Sequence, residues 1–481
     1  EWREFNRIST TVMDAFTAPV VRRYLSTLVE QMADTLPEGG RVHVMESNGG
    51  AMAADAAASS PLQTLLSGPV GGTIGGRSLA EQTGRANLIC VDMGGTSFDA
   101  SLIVDGLPSI SNETTLEGLP VQMSVVDIHV IGAGGGSIAW EEANALRVGP
   151  QSAGSVPGPA CYGRGGVEPT VSDANLVLKR LDSSNFSGGE MTLDAQAAET
   201  AVRSLGDPFG LEPAAFAQGI IDIINAKMAD AIRTITVQRG IDPRDFALLA
   251  YGGAGPSQAA ALAEQLDIGE VIIPVHPGAF SAFGMLQTDM RHDFKMTWYG
   301  DWSAASPPEL TQAFEGLEDQ GREHLKHEGM DETDISFERS VDLRYEGQEY
   351  VLTIPAGTGR VDLKAVRDRF DAAYQAQYGH SSATAGVEVA NLRVAALGRL
   401  RRPGLPSPKD RESHDIRTRK VYFDGAEHDT HVVRREAYAL GDTLVGPAII
   451  EEETTTTLVP PGWRVEVITG GHLSMTKIDG E

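Results

Sequence analysis

Asp92 and Asp99 flank the run Gly94-Gly95-Thr96-Ser97. Two adjacent glycines let a backbone approach an anion with no Cβ in the way, so that N–H groups can point at phosphate oxygens. The Thr96 and Ser97 hydroxyls can donate to the same oxygens. The carboxylates cannot, because like charges repel; their chemistry is to hold a hydrated Mg²⁺ or to position a water. A polar hairpin turn is the plainer reading of Gly-Gly-Thr. Carboxylates on both sides favour the phosphate reading.

Other groups of residues have chemical potential. Gly132-Ala133-Gly134-Gly135-Gly136 precedes Ser137, and this density of glycine suggests a second phosphate approach rather than core packing. Gly252-Gly253-Ala254-Gly255-Pro256 is a third such loop. One loop could take phosphates while another takes the base and sugar of the same nucleotide. Asp127, His129 and Cys161 are candidate ligands for a transition metal, with a hydrogen-bonded structural histidine as the competing reading. There is no Walker lysine motif, no Gly-x-Ser-x-Gly elbow and no zinc-finger spacing.

Around Asp92 the chain reads as strand, loop, strand. Ala86–Val91 and Ala100–Val104 are apolar runs, and Asp105-Gly106 closes a turn, so a β-hairpin should carry the two aspartates. Phe246–Pro274 reads as a strand, a glycine loop, a helix over Ser257–Leu266 and a second strand, the setting in which such a loop cradles a nucleotide. Phe216, Ile220, Ile224, Met228, Ile232 and Ile235 predict a buried helical stripe within 213–239, ended by Gly240. Val125–Ile131 alternates, which predicts one strand with Asp127 and His129 on a common face. Trp140–Val148 reads as a hairpin. Asp173 is expected to cap a helix starting near Ala174. Residues 1–36 are expected to be helical, with Val12, Phe16, Val20, Tyr24 and Leu25 at helical spacing; Ser67 opens a helix reaching about Thr83, whose small residues suit close packing or approach to a ligand. Residues 401–420 are rich in Lys and Arg and read as a linker or exposed loop, and strands follow from Val421.

The totals narrow the class. At 481 residues, 41% apolar and 22% charged, the chain is an ordinary globular sequence, too long for one core. A net charge of −27 argues against nucleic-acid binding, since a phosphate backbone would be repelled. No run of about 18 apolar residues predicts a membrane span, and a cytoplasmic enzyme is the expectation. Two cysteines, Cys90 and Cys161, do not make a disulfide framework.

Taken together, Asp92–Asp99, Ile131–Ser137, Gly158-Pro159-Ala160-Cys161-Tyr162-Gly163, Pro169–Asn175 and Tyr251–Pro256 resemble the hydantoinase/oxoprolinase A family, the large subunits of ATP-dependent hydantoinases, caprolactamases and 5-oxoprolinases, related to acetone and acetophenone carboxylase subunits. The resemblance covers nearly the whole chain. It implies an α/β fold of the actin, Hsp70 and sugar-kinase type, with ATP between ribonuclease-H-like lobes. The domains implied are 1–85, the remainder of a first lobe with connecting helices; 86–300, the second ATP-binding lobe; 301–405, an α+β domain; and 406–481, a β-rich C-terminal domain. Relatives usually carry another Asp-x-Gly-Gly-Thr loop in their first lobe; a chain opening Glu1-Trp2-Arg3-Glu4 is expected to belong to something longer, by about 200 residues.

By that resemblance Asp92 and Asp99 are catalytic, with Asp92 holding Mg²⁺ through water. Gly94, Gly95, Thr96, Ser97, Gly134, Gly135, Gly252, Gly253, Ala254 and Gly255 bind the nucleotide. The cofactors implied are ATP and Mg²⁺, and the partner a B-type subunit in a hetero-oligomer. The reaction expected is ATP-dependent opening of a cyclic amide. The alternatives are a ketone carboxylase subunit and a non-catalytic nucleotide-binding assembly subunit.

Overall fold

The computed structural model describes residues 3–37, 40–116, 118–403 and 416–478. The chain divides into two compact units, each drawn from three separate pieces. One comprises Glu1–Val70, Ile110–Val126 and Leu286–Pro403; the other comprises Gly71–Ser109, Asp127–Met285 and Gly404–Glu481.

The second unit is built on a nine-stranded sheet. Its strands run in the order Ile128–Ile131, Phe98–Val104, Leu88–Met93, Ala247–Tyr251, Glu270–Ile273, Leu473–Lys477, Trp463–Val467 and Thr443–Val445, with Leu107–Pro108 added beside Phe98–Val104. At its centre Leu88–Met93, Ala247–Tyr251 and Glu270–Ile273 are parallel. All five residues of Ala247–Tyr251 are buried, as a central parallel strand covered on both faces requires. One face is covered by the helix Pro213–Ile235, whose predicted stripe is buried. The other face packs against the helix Ser67–Thr83. Close packing is what the small residues of that helix do: a Cβ at Gly76 would stand 2.7 Å from Cys90 Sγ, and one at Gly72 would run into the Tyr251 ring. The C-terminal segment is rich in strands, and three of them extend this main sheet; four others, Arg417–Phe423, Ala426–Arg434, Ala448–Glu451 and Thr456–Val459, form a sheet of their own. Most of the basic stretch 401–420 lies outside the described residues.

The first unit has a six-stranded sheet in the order His43–Met45, Ala51–Ala53, Met290–Asp301, Val387–Gly398, Ile335–Tyr345 and Leu352–Pro355. Helices Pro307–His327 and Leu363–Tyr378 bury Leu310, Phe314, Val366 and Phe370 in its core. Asp342 is fully buried there, neutralised by Arg393 and by an amide bond from Asn391 at 2.7 Å. The opening helix spans Glu4–Met32; Leu25 is buried, whereas Val12, Phe16, Val20 and Tyr24 are exposed.

One expected strand is broken. Val125–Val126 and Ile128–Ile131 are separate, pairing with Ile110–Ser111 and Phe98–Val104 respectively. Asp127 stands between them, its N–H donating to the Ser109 carbonyl at 2.8 Å. The single strand expected over Val125–Ile131 is therefore two short pairings, with Asp127 at the break and His129 within the second.

Candidate functional site

The hairpin is as the apolar runs predict. Leu88–Met93 and Phe98–Val104 pair antiparallel and set Asp92 opposite Asp99. Gly94 N donates to Ser97 O at 3.2 Å to close the tip. A Cβ at Gly94 or Gly95 would meet nothing within 4 Å, and Gly95 and Thr96 are exposed, so the tip faces open space. Asp92 and Asp99 are half-buried below it. Burial pushes the Asp99 carboxyl up to about 6, and the Asp92 charge adds to that push. Asp92 is raised too, by burial, against a hydrogen bond from Ser281 Oγ to its Oδ2 at 3.1 Å. One oxygen of Asp99, Oδ1, is buried without a hydrogen-bond partner among the described residues.

The second glycine run stands behind this tip. Gly135 N donates to Gly94 O at 3.0 Å and Gly136 N to Gly95 O at 2.7 Å. A Cβ at Gly134 would lie 2.5 Å from the backbone at Gly95 and Thr96. The density of glycine thus has a packing cause after all, and the reading that excluded packing fails at Gly134. The run is itself tied down: Ser137 Oγ accepts from Gly134 N at 2.8 Å, and Ser172 N donates to Gly135 O at 2.8 Å. Ser172 belongs to the helix Val171–Val177, which starts three residues earlier than expected; Thr170 is its N-cap, and Asp173, expected as the cap, is instead the N3 partner of a capping box, a structural role all the same.

The third loop comes to Asp92 from the neighbouring strand. Tyr251 is registered with Asp92, and Ala254 N donates to Met93 O at 2.9 Å. Gly252 has φ +83°, and a Cβ there would collide with the Asp92 carboxylate. Only glycine meets both conditions. Gly255 opens the helix Gly255–Leu266. Asp92 and Asp99 are therefore brought together with Gly94, Gly95, Thr96 and Ser97 and with Gly252–Gly255, while Gly134 and Gly135 brace the tip. Ser281, in the short helix Phe280–Met285, lies outside all three glycine motifs. A serine in an apolar helix carries no local sign that it faces a carboxylate from a distant strand.

The expected transition-metal ligands are not assembled. Asp127 pairs with Arg239. His129 lies in the strand Ile128–Ile131, opposite Ala100. Cys161 is buried, and its N–H donates to Asp173 Oδ1 at 2.7 Å; burial and the Asp173 charge push its thiol far up, the wrong direction for a thiolate ligand. Among the described residues no three His, Cys, Asp or Glu side chains are grouped to hold a metal ion. The Asp92–Asp99 pair is a different matter: two facing carboxylates, one with an unpartnered buried oxygen, are a hard-oxygen donor set of the kind Mg²⁺ takes, with water and phosphate completing its shell.

Residues 7–294 match the hydantoinase/oxoprolinase family model, and residues 301–470 match that of the hydantoinase/oxoprolinase C-terminal domain. The chain belongs to the hydantoinase/oxoprolinase family. It is 35% identical over 491 residues to the caprolactamase subunit alpha of Pseudomonas jessenii, covering 98% of this chain and 70% of that protein. It is 31% identical over 492 residues to 5-oxoprolinase 1 of Arabidopsis thaliana, covering 97% of this chain but 38% of that one. The crystal structure of the ATP-dependent caprolactamase superposes with a TM-score of 0.86 at 34% identity, covering 99% of this chain and 71% of that one. Nucleotide-free acetone carboxylase superposes at 0.80 and 27%, with 99% and 70% covered. These neighbours share the α/β fold of the actin-like ATPase type that the resemblance implies. Several relatives are named as subunits, the caprolactamase alpha subunit and the acetone carboxylase beta subunit among them. No helix among the described residues is long and apolar enough to cross a membrane.

Proposed function

We propose that this chain is the ATP-using subunit of a cytoplasmic enzyme that opens a cyclic amide: a hydantoin, a lactam or 5-oxoproline. The observation that carries the reading is the Asp92–Asp99 pair at the base of an open Gly-Gly-Thr-Ser tip, with one carboxylate oxygen buried and unpartnered. The kinship with a caprolactamase and a 5-oxoprolinase supports the substrate class.

Amide resonance makes such rings slow to hydrolyse. Transfer of the γ-phosphoryl group to the amide oxygen forms one O–P bond and breaks the O–P bond to ADP. The ring carbon is then open to water, the ring nitrogen leaves with a proton, and the resulting acyl phosphate is hydrolysed to a carboxylate and inorganic phosphate. In this scheme the N–H groups of Gly94 and Gly95 and the hydroxyls of Thr96 and Ser97 donate to phosphate oxygens. Gly134 and Gly135 keep that tip in shape from behind. Gly252, Gly253, Ala254 and Gly255 take the nucleoside side. Asp92, through water, and Asp99 would hold Mg²⁺, whose charge offsets that of the phosphates. Ser281 orients Asp92. The lobe division follows the same reading, with 1–85 finishing a first lobe, 86–300 forming the second, 301–405 an α+β domain, and 406–481 a β-rich segment, three of whose strands extend the second lobe's sheet. A B-type subunit completes the hetero-oligomer.

The structural likeness to acetone carboxylase favours a second reading, in which the same phosphoryl transfer activates a ketone or bicarbonate. ATP hydrolysis by the protein with its B-type partner separates the two. Turnover stimulated by one cyclic amide, with ring-opened product in step with ADP, is the expected result. Stimulation only by a ketone plus bicarbonate would replace the first reading with the second. No stimulation by either would leave a non-catalytic subunit.

A further inference from the structure

The loop between Ala448–Glu451 and Thr456–Val459 belongs to the C-terminal sheet, yet it ends on the glycine loop that follows Tyr251. Glu452 N donates to Thr455 O at 3.0 Å, which makes the loop a tight one. The Thr455 side chain is buried, and its Oγ1 lies 3.0 Å from the Gly253 carbonyl and 3.4 Å from that of Gly252. Ser257 Oγ donates to Thr456 O at 2.6 Å, a second tie between the same two segments.

Beneath the loop is a buried ion pair. Arg435 and Glu452 are each 9% exposed and meet at 2.9 Å. Three more guanidinium N–H groups go to the carbonyls of Pro274 at 3.0 Å, Gly471 at 2.7 Å and Ile273 at 3.4 Å. A planar fork with several fixed donors suits this arrangement, and a lysine could not reproduce it.

The consequence falls on one exposed peptide group. The peptide joining Gly253 to Ala254 is held at both ends, its carbonyl by Thr455 and its N–H by Met93 O. The carbonyl of the preceding peptide also faces Thr455, so in a trans peptide the Gly253 N–H points away from Thr455. Gly253 is exposed, and its N–H makes no hydrogen bond among the described residues. A glycine loop has little stiffness of its own, so a donor on it is aimed only by what holds it.

We propose that Thr455, backed by the Arg435–Glu452 pair, positions the Gly253 N–H to donate to an oxygen of the bound nucleoside triphosphate. Thr455 is a positioning residue and Gly253 supplies the contact. This rests on the reading of Gly252–Gly255 as part of the nucleotide site, and the test separates the two. Mg-ATP binding to the full chain is measured by calorimetry, and KM and kcat for ATP are measured in the assembled enzyme. Thr455→Val, which keeps the shape and loses the hydroxyl, should raise the ATP Kd and KM together by about tenfold with kcat within about twofold. Thr455→Ser should restore both. A merely structural defect would lower the melting temperature and the active fraction, hence kcat, and leave KM where it is. Glu452→Gln is the second variant, expected to raise KM in the same direction if Thr455→Val folds poorly. An unchanged KM in both variants, or a serine variant as weak as the valine one, overturns the proposal. Wild-type protein that binds no ATP overturns the nucleotide reading itself, before any variant is compared.

Discussion

Asp92 and Asp99 are registered partners across two antiparallel strands, so two acids stand side by side below a glycine tip. Like charges directly opposite one another destabilise a strand pair. A pairing that costs stability at rest is useful where a cation or a proton is to be held.

Replacing Asp92 with asparagine keeps the size and the Ser281 hydrogen bond and removes the charge. ATP turnover should fall by at least about a hundredfold, with the melting temperature unchanged or higher. Steady-state ATPase assays and thermal melts check this. Unchanged turnover would remove the metal role from Asp92.

The raised Asp99 carboxyl has a stability signature. Its folded value, about 6, lies above the ordinary 3.8, so between those limits the folded chain binds more protons than the unfolded one. The contribution of Asp99 is best at low pH and is lost as pH rises through about 6. Asp99→Asn should therefore raise the melting temperature more at pH 7.5 than at pH 4.5 in magnesium-free buffer. Equal gains at both pH values would show that the carboxyl is not perturbed.

Gly252 and Gly253 are neighbours with opposite expectations. Gly252→Ala meets a left-handed φ and the Asp92 carboxylate, and should cost roughly 1–3 kcal/mol in chemical denaturation. At Gly253 a Cβ comes no closer than 3.5 Å to Thr454 O, so Gly253→Val should fold normally. It should nevertheless block nucleotide entry, seen as loss of ATP binding in calorimetry. ATP affinity unaltered in Gly253→Val would sink the assignment of this loop to the nucleotide.

Ser281→Ala removes the hydrogen bond that opposes burial at Asp92. The Asp92 carboxyl should rise further, and the acid limb of the ATPase pH profile should move to higher pH. A profile that scales down without moving would make Ser281 a packing residue only.

Gly134→Ala tests the brace. Its Cβ would press on the backbone of Gly95 and Thr96, so the tip must shift. ATPase activity should drop at least about tenfold with a loss of roughly 1–3 kcal/mol in stability. Full activity would mean that the tip adapts.

What could be read from the sequence is what is local. The hairpin at Asp92 announces itself by two apolar runs around Gly-Gly, and the strand–loop–helix–strand unit at 247–273 by its periodicity and glycines. Pairings over long separations are silent. Nothing in Leu473–Lys477 says that its partner is Glu270–Ile273, nothing in Arg435 says that it meets the Pro274 carbonyl 161 residues earlier, and nothing in Thr455 says that it meets that of Gly253, 202 residues earlier. Local pattern also misled once: Val125–Ile131 alternates correctly, but each half answers to a different partner strand. Glycine is the other ambiguous letter, because a glycine needed by a ligand and one needed by a neighbouring backbone look the same, as Gly134 shows.

The position of Leu473–Lys477 has a consequence for biosynthesis. It lies between Glu270–Ile273 and Trp463–Val467, inside the nine-stranded sheet rather than at an edge. While a ribosome is still making residues before 473, Glu270–Ile273 has an unpaired margin, and Thr443–Val445 and Trp463–Val467 have no route into that sheet. The sheet can close only after Leu473–Lys477 has emerged, about 200 residues of synthesis after Glu270–Ile273. A protein cut just before Leu473 would leave the margins of Glu270–Ile273 and Trp463–Val467 unpaired, and should aggregate.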